Sequence, residues 1–242
     1  MAPIIQTDDE RATRLLDLAG VKYAIVQPAS QAKPPTQVSS KAIILEAKQY
    51  RGYSYPDLLV PTERSYLNKN WAECRQAARQ EEGYMLTPRQ FVDFLKLLKS
   101  GKAFDENGKK VDSMRLQGLY DEITAVKSPW RAEWLDAKFG DKTITYALIE
   151  KDGSTTEVSR KLQGCLMEDK TPGISLDSWL EKANNQGLPT KKTKDGNLYY
   201  WHPRKDSVAR FSADSGRAYF YCSGYPAGRY DALGVRVARK KI

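Results

Sequence analysis

The sequence predicts a mixed α+β fold, with its clearest helices in the middle of the chain and strands near its end. Two blocks of apolar residues at helical spacing lie between Asn70 and Gly101. Four short runs of strand-forming residues lie between Leu198 and Ala238. Because 40% of the 242 residues are hydrophobic, the chain can form one large domain, or one domain with an extension, around a sizeable core.

Residues 1–40 are predicted to form an extension that precedes the main domain. Residues 8–19 have the spacing of an amphipathic helix, and residues 22–27 have the composition of a strand. Residues 28–40 are rich in Pro, Ser and Gln, which is typical of a linker. We therefore expect a helix-strand extension and a Pro-rich linker, followed by the main domain over residues 41–242.

The main domain is predicted to contain two consecutive helices. Asn70 precedes the first, which has Trp71, Cys74, Ala77 and Ala78 at helical spacing. We expect Gly83 to take the left-handed conformation that ends it. In the second helix Thr87 is the expected cap, since its hydroxyl can accept from a free N–H group, and Gly101 is the expected end. Its predicted buried face is formed by Phe91, Phe94, Leu95 and Leu98.

The middle of the chain is predicted to be a mixture of short elements. Ser128-Pro129 is expected to begin a short helix with Trp130 and Trp134 on one face. Asp152-Gly153 is a turn sequence between two alternating runs, which predicts a hairpin over residues 143–160. Short helices are expected near residues 116–123 and 175–183.

The segment from Ser212 to Asp231 carries the functional hypothesis. Half of its residues are Tyr, Ser or Gly, and it contains no Leu, Ile, Val or Met. Tyrosine provides a large rigid contact surface with a hydroxyl group, while Ser and Gly adapt to a partner. Strand alternation predicts that Tyr219 and Tyr221 face outward and that Phe220 and Cys222 face the core. The alternative is a hairpin stabilised by cross-strand aromatic pairs without a binding role.

The last strand, Asp231 to Arg239, resembles the closing strand of C-type-lectin-fold proteins of the formylglycine-generating-enzyme subgroup. The stretches from Trp71 to Ala78 and from Gly83 to Phe91 resemble the helix, short strand and turn of that fold. The resemblance is patchy over Pro61 to Arg239. It implies a C-type-lectin-like fold, with two helices packed on small antiparallel sheets, an N-terminal extension and a central insertion.

The chain is also similar to variable proteins of diversity-generating retroelements, including those of archaea and their viruses. In that family a diversified segment precedes the terminal strand, and its residue types match those between Ser212 and Asp231. The resemblance implies receptor recognition through a variable segment of about residues 199–231, without catalysis. The implied ligand-binding residues are Asp214, Tyr219, Tyr221, Ser223, Gly224, Tyr225, Ala227, Gly228, Tyr230 and Asp231. Secondary candidates on an adjacent strand or loop are Tyr199, Tyr200 and His202.

Two other function classes are compatible with parts of the sequence. The resemblance allows a formylglycine-generating-type oxidase, which would need two late cysteines, but Cys222 is late and Cys165 lies far upstream. The net charge of +9 allows a basic nucleic-acid-binding protein. Against that class, Lys and Arg are spread along the chain, and the aromatic segment contains two Arg and two Asp. We expect no enzyme activity and no nucleic-acid partner.

The expected partner is a protein or glycan ligand on a cell surface, with no cofactor and no metal. A structural metal site is not expected, because the chain has a single histidine and three separated cysteines without CxxC spacing. No apolar run approaches the roughly 20 residues of a membrane span, so membrane insertion is not expected. Residues 1–8 lack the pattern of a secretory signal, and we expect the protein at the exterior of a virion or cell.

Overall fold

A computed structural model describes residues 4–5, 24–25, 41–150, 152–191 and 196–242. They form a mixed α+β structure, as predicted. The chain divides into two compact units, residues 1–39 and 40–242. In the first unit β1 (Ile4–Ile5) and β2 (Ala24–Ile25) pair in parallel, and β2 falls within the predicted first strand. The helix predicted over residues 8–19 and the linker predicted over residues 28–40 lie outside the described residues.

The described residues contain four helices, which are α1 (Trp71–Gln80), α2 (Pro88–Ser100), α3 (Ser113–Thr124) and α4 (Leu176–Lys182). The predicted ends of α2 are confirmed. Thr87 and Gln90 form a reciprocal capping box, and Gly101 ends the helix with a φ of 66°. The predicted α4 is also confirmed, because the Ser175 hydroxyl accepts from the N–H of Ser178.

The predicted role of Gly83 is wrong. The residue with a left-handed conformation after α1 is Glu82, which has a φ of 55°. At Gly83 a Cβ would lie 2.5 Å from the Val237 side chain and 2.9 Å from the carbonyl oxygen of Ala238. The glycine is therefore required by the close approach of the terminal strand to α1, and not by the turn.

The central sheet has eight strands among the described residues. Seven follow one another across it: β10 (Thr155–Lys161), β9 (Thr143–Ile149), β8 (Arg131–Phe139), β13 (Ser207–Ala213), β14 (Ala218–Gly224), β12 (Leu198–Trp201) and β11 (Lys170–Ile174). The eighth, β15 (Leu233–Gly234), pairs with β8 in parallel. β9 and β10 form the predicted hairpin. β13 is antiparallel to β8 and β14, whereas β12 and β14 are parallel.

The helix predicted after Ser128-Pro129 is wrong, because Arg131–Phe139 is the strand β8. Residues four apart share a face in a strand as well as in a helix, so the spacing of Trp130 and Trp134 could not separate the two structures. β8 lies within the sheet and is buried at every residue except Lys138. Burial on both faces removes the alternation that marks an exposed strand.

A second sheet pairs the last strand of the chain with strands from the first part of the main domain. Its four strands are ordered β3 (Ala42–Leu45), β6 (Leu58–Pro61), β16 (Val237–Lys240) and β7 (Tyr84–Met85), and β4 (Lys48–Tyr50) pairs separately with β5 (Tyr53–Tyr55). The single strand predicted over Leu233–Ala238 is divided into β15 and β16. Between them Val235 bonds to Ser65, and the buried Arg236 contacts Glu133 of β8.

Two hydrophobic clusters cover opposite faces of β8 and β13. The larger cluster contains Leu135 and Phe211 and lies against α2, α3 and α4. The smaller cluster contains Trp134 and Val208 and is covered by α1 and the chain around Val235. The smaller cluster thus covers the second face of the central sheet at β8 and the adjoining part of β13. On the same face, β12 and β14 are free to display side chains.

Candidate functional site

β14 alternates between the core and the surface, which confirms the predicted orientation of its side chains. Phe220 and Cys222 are fully buried. Tyr219 and Tyr221 are half-buried and lie on the opposite face. β14 therefore anchors itself with one face while it presents tyrosines with the other.

β12 repeats this arrangement beside β14. Leu198 and Tyr200 are fully buried, whereas Tyr199 and Trp201 are half-buried on the other face. Because β12 and β14 are parallel neighbours, their outward residues pair directly: Tyr199 with Tyr219, and Trp201 with Tyr221. The four outward aromatic side chains thus form one continuous group.

A row of side chains crosses four strands at this face. In register, Arg210 of β13 pairs with Trp134 of β8 and with Tyr221, and Tyr221 pairs with Trp201. The guanidinium carbon of Arg210 lies 5.8 Å from the ring centre of Trp134 and 4.5 Å from that of Tyr221. The rings of Tyr221 and Trp201 are stacked, with centres 4.3 Å apart and planes 14° apart. Arg210 and Trp201 therefore enclose the ring of Tyr221 from its two sides.

A second row runs beside the first and has small residues at one end. Ser212 of β13 pairs with Ala132 and with Tyr219, and Tyr219 pairs with Tyr199. The guanidinium carbon of Arg217 lies 4.3 Å from the ring centre of Tyr199. The aromatic platform is the name we give to the outward residues of β12, β13 and β14 in the two rows: Tyr199, Trp201, Arg210, Tyr219 and Tyr221.

Asp214 positions the platform from the turn between β13 and β14. Its carboxylate accepts from the N–H groups of Gly216 and Arg217 and from the Tyr219 hydroxyl at 2.7 Å. Burial and this hydrogen bond to Asp214 raise the pKa of Tyr219 to about 12. The carboxylate of this predicted contact residue is therefore engaged within the protein, where it fixes the Tyr219 ring.

The loop after β14 supplies the most exposed aromatic residues of the predicted segment. Tyr225 is 73% exposed and Tyr230 is 48% exposed. The Tyr230 ring packs edge-on against Trp130, at 5.6 Å between centres, and lies 5.7 Å from the Arg210 guanidinium carbon. The loop is attached to α1, because the carbonyl of Pro226 accepts from the N–H of Trp71. It thus continues the aromatic surface beyond the platform.

The other predicted small and acidic contact residues divide into exposed and buried positions. Ala227 and Asp231 are exposed, and Ser223 is half-buried on the outward face of β14. Gly224 and Gly228 are buried. A Cβ at Gly224 would lie 2.7 Å from the carbonyl oxygen of Val208, so this glycine serves the close packing of β13 and β14.

Tyr200 does not share the outward face, which corrects its place among the secondary candidates. Its side chain is fully buried, stacks on Phe220 at 6.0 Å between ring centres, and donates its hydroxyl proton to the carbonyl of Leu166. Tyr200 and Tyr199 are adjacent in a strand, so the alternation that exposes one buries the other. Tyr200 is a core residue and cannot contact a ligand from this position.

His202 lies beyond the end of β12 in a small polar cluster. Asp169 accepts from the backbone N–H of His202 and lies 2.7 Å from its Nδ1, and Arg204 pairs with the other carboxylate oxygen. Burial alone would raise the pKa of Asp169, but the bonds from His202 and the charge of Arg204 lower it below its usual value. The cluster holds β12 to the chain before β11. Asp169 therefore holds the His202 side chain in place at the border of the platform.

Two platform residues, Trp201 and Arg210, were not predicted as site residues. Trp201 could have been found from the sequence, since it lies two residues after Tyr199 in a predicted strand and must share its face. Arg210 lies in a strand without an exposed polar pattern, so no local signal places it against the tyrosines. Its position depends on the pairing of β13 with β14, which is a property of the sheet order.

The cysteines form no disulfide among the described residues. Cys222 is fully buried, and burial raises the pKa of its thiol well above the usual value. Burial also raises the pKa of Cys74 to about 12 and that of the partly exposed Cys165 to about 11. No group of three or more His, Cys, Asp or Glu side chains suited to a metal ion occurs in the described part of the chain.

Thiol labelling should therefore discriminate among the three cysteines. In the folded protein at neutral pH we expect a maleimide reagent to modify Cys165 slowly and to leave Cys74 and Cys222 unmodified, because buried thiols are neutral and inaccessible. Mass spectrometry of tryptic peptides measures the outcome, with guanidinium-unfolded protein as the control in which all three react. Rapid modification of Cys222 before unfolding would contradict its placement.

Comparison of the chain with family models, with curated proteins and with solved structures gives no match. Within the described residues, no helix has both the length and the apolar composition needed to cross a membrane.

Proposed function

We propose that this protein recognises a ligand through the aromatic platform and the adjoining Tyr225–Asp231 loop. In this proposal the scaffold is C-type-lectin-like, and the segment over about residues 199–231 is diversified as in variable proteins of retroelements. The partner is a macromolecule at a cell surface, and the protein acts at the exterior of a virion or cell. Recognition requires rigid contact groups on a scaffold that tolerates their replacement.

The main observation that supports recognition is that β14 has one face in the core and the other at the surface. Phe220 and Cys222 hold the strand in the core, and the residues between and beside them point outward. A substitution at Tyr219 or Tyr221 changes the surface without changing the main core. Such a strand can carry many different outward side chains on one fold, which is what diversification requires.

The packing of the platform also favours binding. Stacked rings restrain one another: the ring centres of Tyr219 and Tyr221 lie 5.6 Å apart with planes 14° apart, and Trp201 stacks on both. Side chains that are ordered before binding lose little rotamer entropy when a partner arrives. Preordered tyrosines are typical of paratopes for this reason.

The proposal predicts where this gene varies between closely related genomes. Nonsynonymous differences should concentrate at codons for outward residues, including Tyr219, Tyr221, Tyr225 and Tyr230. They should be rare at Phe220 and Tyr200, which are matched aromatic controls in the same strands but belong to the core. Sequencing the locus from related isolates measures this, together with a search for a nearby template repeat and reverse transcriptase. Differences spread evenly over outward and core codons, with no repeat nearby, would refute diversification.

A further inference from the structure

Arg210 is a cation among aromatic rings. Its guanidinium carbon lies 4.5 Å from the ring centre of Tyr221, 5.8 Å from that of Trp134 and 5.7 Å from that of Tyr230. No carboxylate forms an ion pair with Arg210 within the described part of the chain. The Tyr221 hydroxyl is a hydrogen-bond partner of this guanidinium, whereas the aromatic faces attract the cation but provide no oxygen acceptor for its Nε–H.

Two other arginines near the platform have acidic partners. Arg204 pairs with Asp169, and Arg229 pairs with Glu73. Both of these are more exposed than Arg210, so water could hydrate them without a partner. Arg217, over Tyr199, also forms no ion pair within the described part of the chain, but it is exposed and water can hydrate it. Arg210 is the less exposed of these two arginines, so the lack of a carboxylate partner costs more there.

Two donors on the outward face of β13 lack acceptors. The Nε of Arg210 and the hydroxyl oxygen of Ser212 are shielded from solvent and have no hydrogen-bond partner among the described residues. Ser212 itself is 1% exposed. The two residues lie two apart in β13 and share its outward face. Shielded donors without acceptors are costly, so they indicate a place where an acceptor group from outside would be stabilised.

The ring arrangement limits which ligand groups can bind. Tyr221 has Trp201 on one side and Arg210 on the other, and Tyr199 is covered by Arg217. Those faces are occupied, so an incoming group meets ring edges, hydroxyls and guanidinium N–H groups. Ring edges are electropositive, and the guanidinium is a donor fork. Around Arg210 this arrangement favours an anionic acceptor group over a base or sugar ring stacked on a tyrosine face.

We propose that Arg210 is the anchor for a carboxylate of the ligand. The guanidinium binds the two carboxylate oxygens as a fork beside the rings of Tyr221 and Tyr230, and the Ser212 hydroxyl on the same face of β13 is a further donor. This proposal rests on the proposed function, since it names the group that the recognition surface binds. The carboxylate can belong to an Asp or Glu side chain or to an acidic sugar, and the shared chemistry is the carboxylate itself.

The direct test follows the Nε–H signal of Arg210 in a ¹H–¹⁵N spectrum of the full chain during titration with sodium acetate. We expect a saturable shift of that signal, with sodium chloride at equal ionic strength as the control for screening. The Nε–H signal of Arg204, which already has Asp169, should move little. An Arg210 signal that behaves alike in acetate and chloride would overturn the proposal, and this measurement needs no variant that folds.

The variant Arg210→Lys keeps the charge and removes the fork. Acetate binding, followed by the backbone amide of Tyr221, should weaken about tenfold, because a charge-assisted bidentate contact is lost. Arg204→Lys is the matched control and should leave acetate binding unchanged. Equal acetate affinity of the wild type and Arg210→Lys would refute the anchor role, and a thermal melt establishes that both variants are folded.

Two polymers separate the sources of the carboxylate. Binding of poly-L-glutamate that Arg210→Lys weakens would assign the anchor to an acidic peptide, whereas binding of polygalacturonate would assign it to an acidic glycan. If acetate gave no saturable response, the anchor role of Arg210 would be overturned, but the codon pattern could still support diversification. An even codon pattern with a saturable acetate response would instead remove diversification and retain the anchor.

Discussion

Replacement of Phe220 by alanine is expected to lower the free energy of unfolding by about 3–5 kcal/mol. The Phe220 ring is fully buried and stacks on Trp179, with ring centres 4.4 Å apart. Its removal leaves a cavity in the larger hydrophobic cluster that the surrounding sheet and α4 cannot close. Urea unfolding followed by tryptophan fluorescence measures the change.

The matched control for Phe220 lies five residues away. Tyr225→Ala removes a side chain that is 73% exposed, and it should change the free energy of unfolding by less than about 0.5 kcal/mol. Tyr219→Ala and Tyr221→Ala should fall between the two, since each ring is half-buried and stacked. A loss at Tyr221 as large as that at Phe220 would favour the alternative reading, in which the aromatic pairs serve only to stabilise the hairpin.

The orientation of the β14 side chains could be predicted because it depends only on the residues of that strand. Once Arg217 to Cys222 is recognised as a strand, alternation assigns each side chain to one of its two faces. The face with the more apolar side chains is then predicted to be the buried one. The same holds for α2, where Thr87, Gln90 and Gly101 specify both ends within the helix itself. Elements with a local signal were therefore predicted well.

The misassigned elements depend on distant parts of the chain. β8 looked helical because both of its faces are buried by the two hydrophobic clusters, which come from distant parts of the chain and are not visible within the segment. Gly83 could not be assigned correctly without knowing that β16 passes within van der Waals distance of it. Sequence pattern predicts which face of an element is apolar, but not how many faces other elements will cover.

The candidate site shows the same limit. Alternation predicted that Tyr219 and Tyr221 face outward, and the family resemblance implied further contacts at Tyr225 and Tyr230. Each of these tyrosines lies on or beside one continuous surface. Arg210 joins that surface through the order of β8, β13 and β14 in the sheet. Sheet order is decided by long-range packing, so no reading of residues 207–213 alone could place this arginine against Tyr221.

Arg236 provides the largest expected electrostatic effect, and Arg236→Met should lower the free energy of unfolding by about 3–5 kcal/mol. The side chain is 2% exposed, and its Nε lies 3.1 Å from the buried Glu133 carboxylate. Its other nitrogens bond to the carbonyls of Pro61 and Thr62 and pair with Glu122. Removal of the guanidinium leaves Glu133 as a buried charge without its partner, next to two unsatisfied carbonyls.

Arg239 is the control for Arg236 because it lies three residues later and pairs with Glu81 at the surface, where both side chains are 44% exposed. Arg239→Met should cost less than about 1 kcal/mol, since an exposed ion pair contributes little. The double variant Glu133→Leu/Arg236→Met should be more stable than Arg236→Met alone, because it removes the unpaired carboxylate. Guanidinium unfolding measures both variants. Equal losses of stability in Arg236→Met and Arg239→Met would show that the buried pair does not hold the segment between β15 and β16 against β8. The segment that follows the Tyr225–Asp231 loop is secured at this pair, so substitutions in the loop should leave its far end fixed.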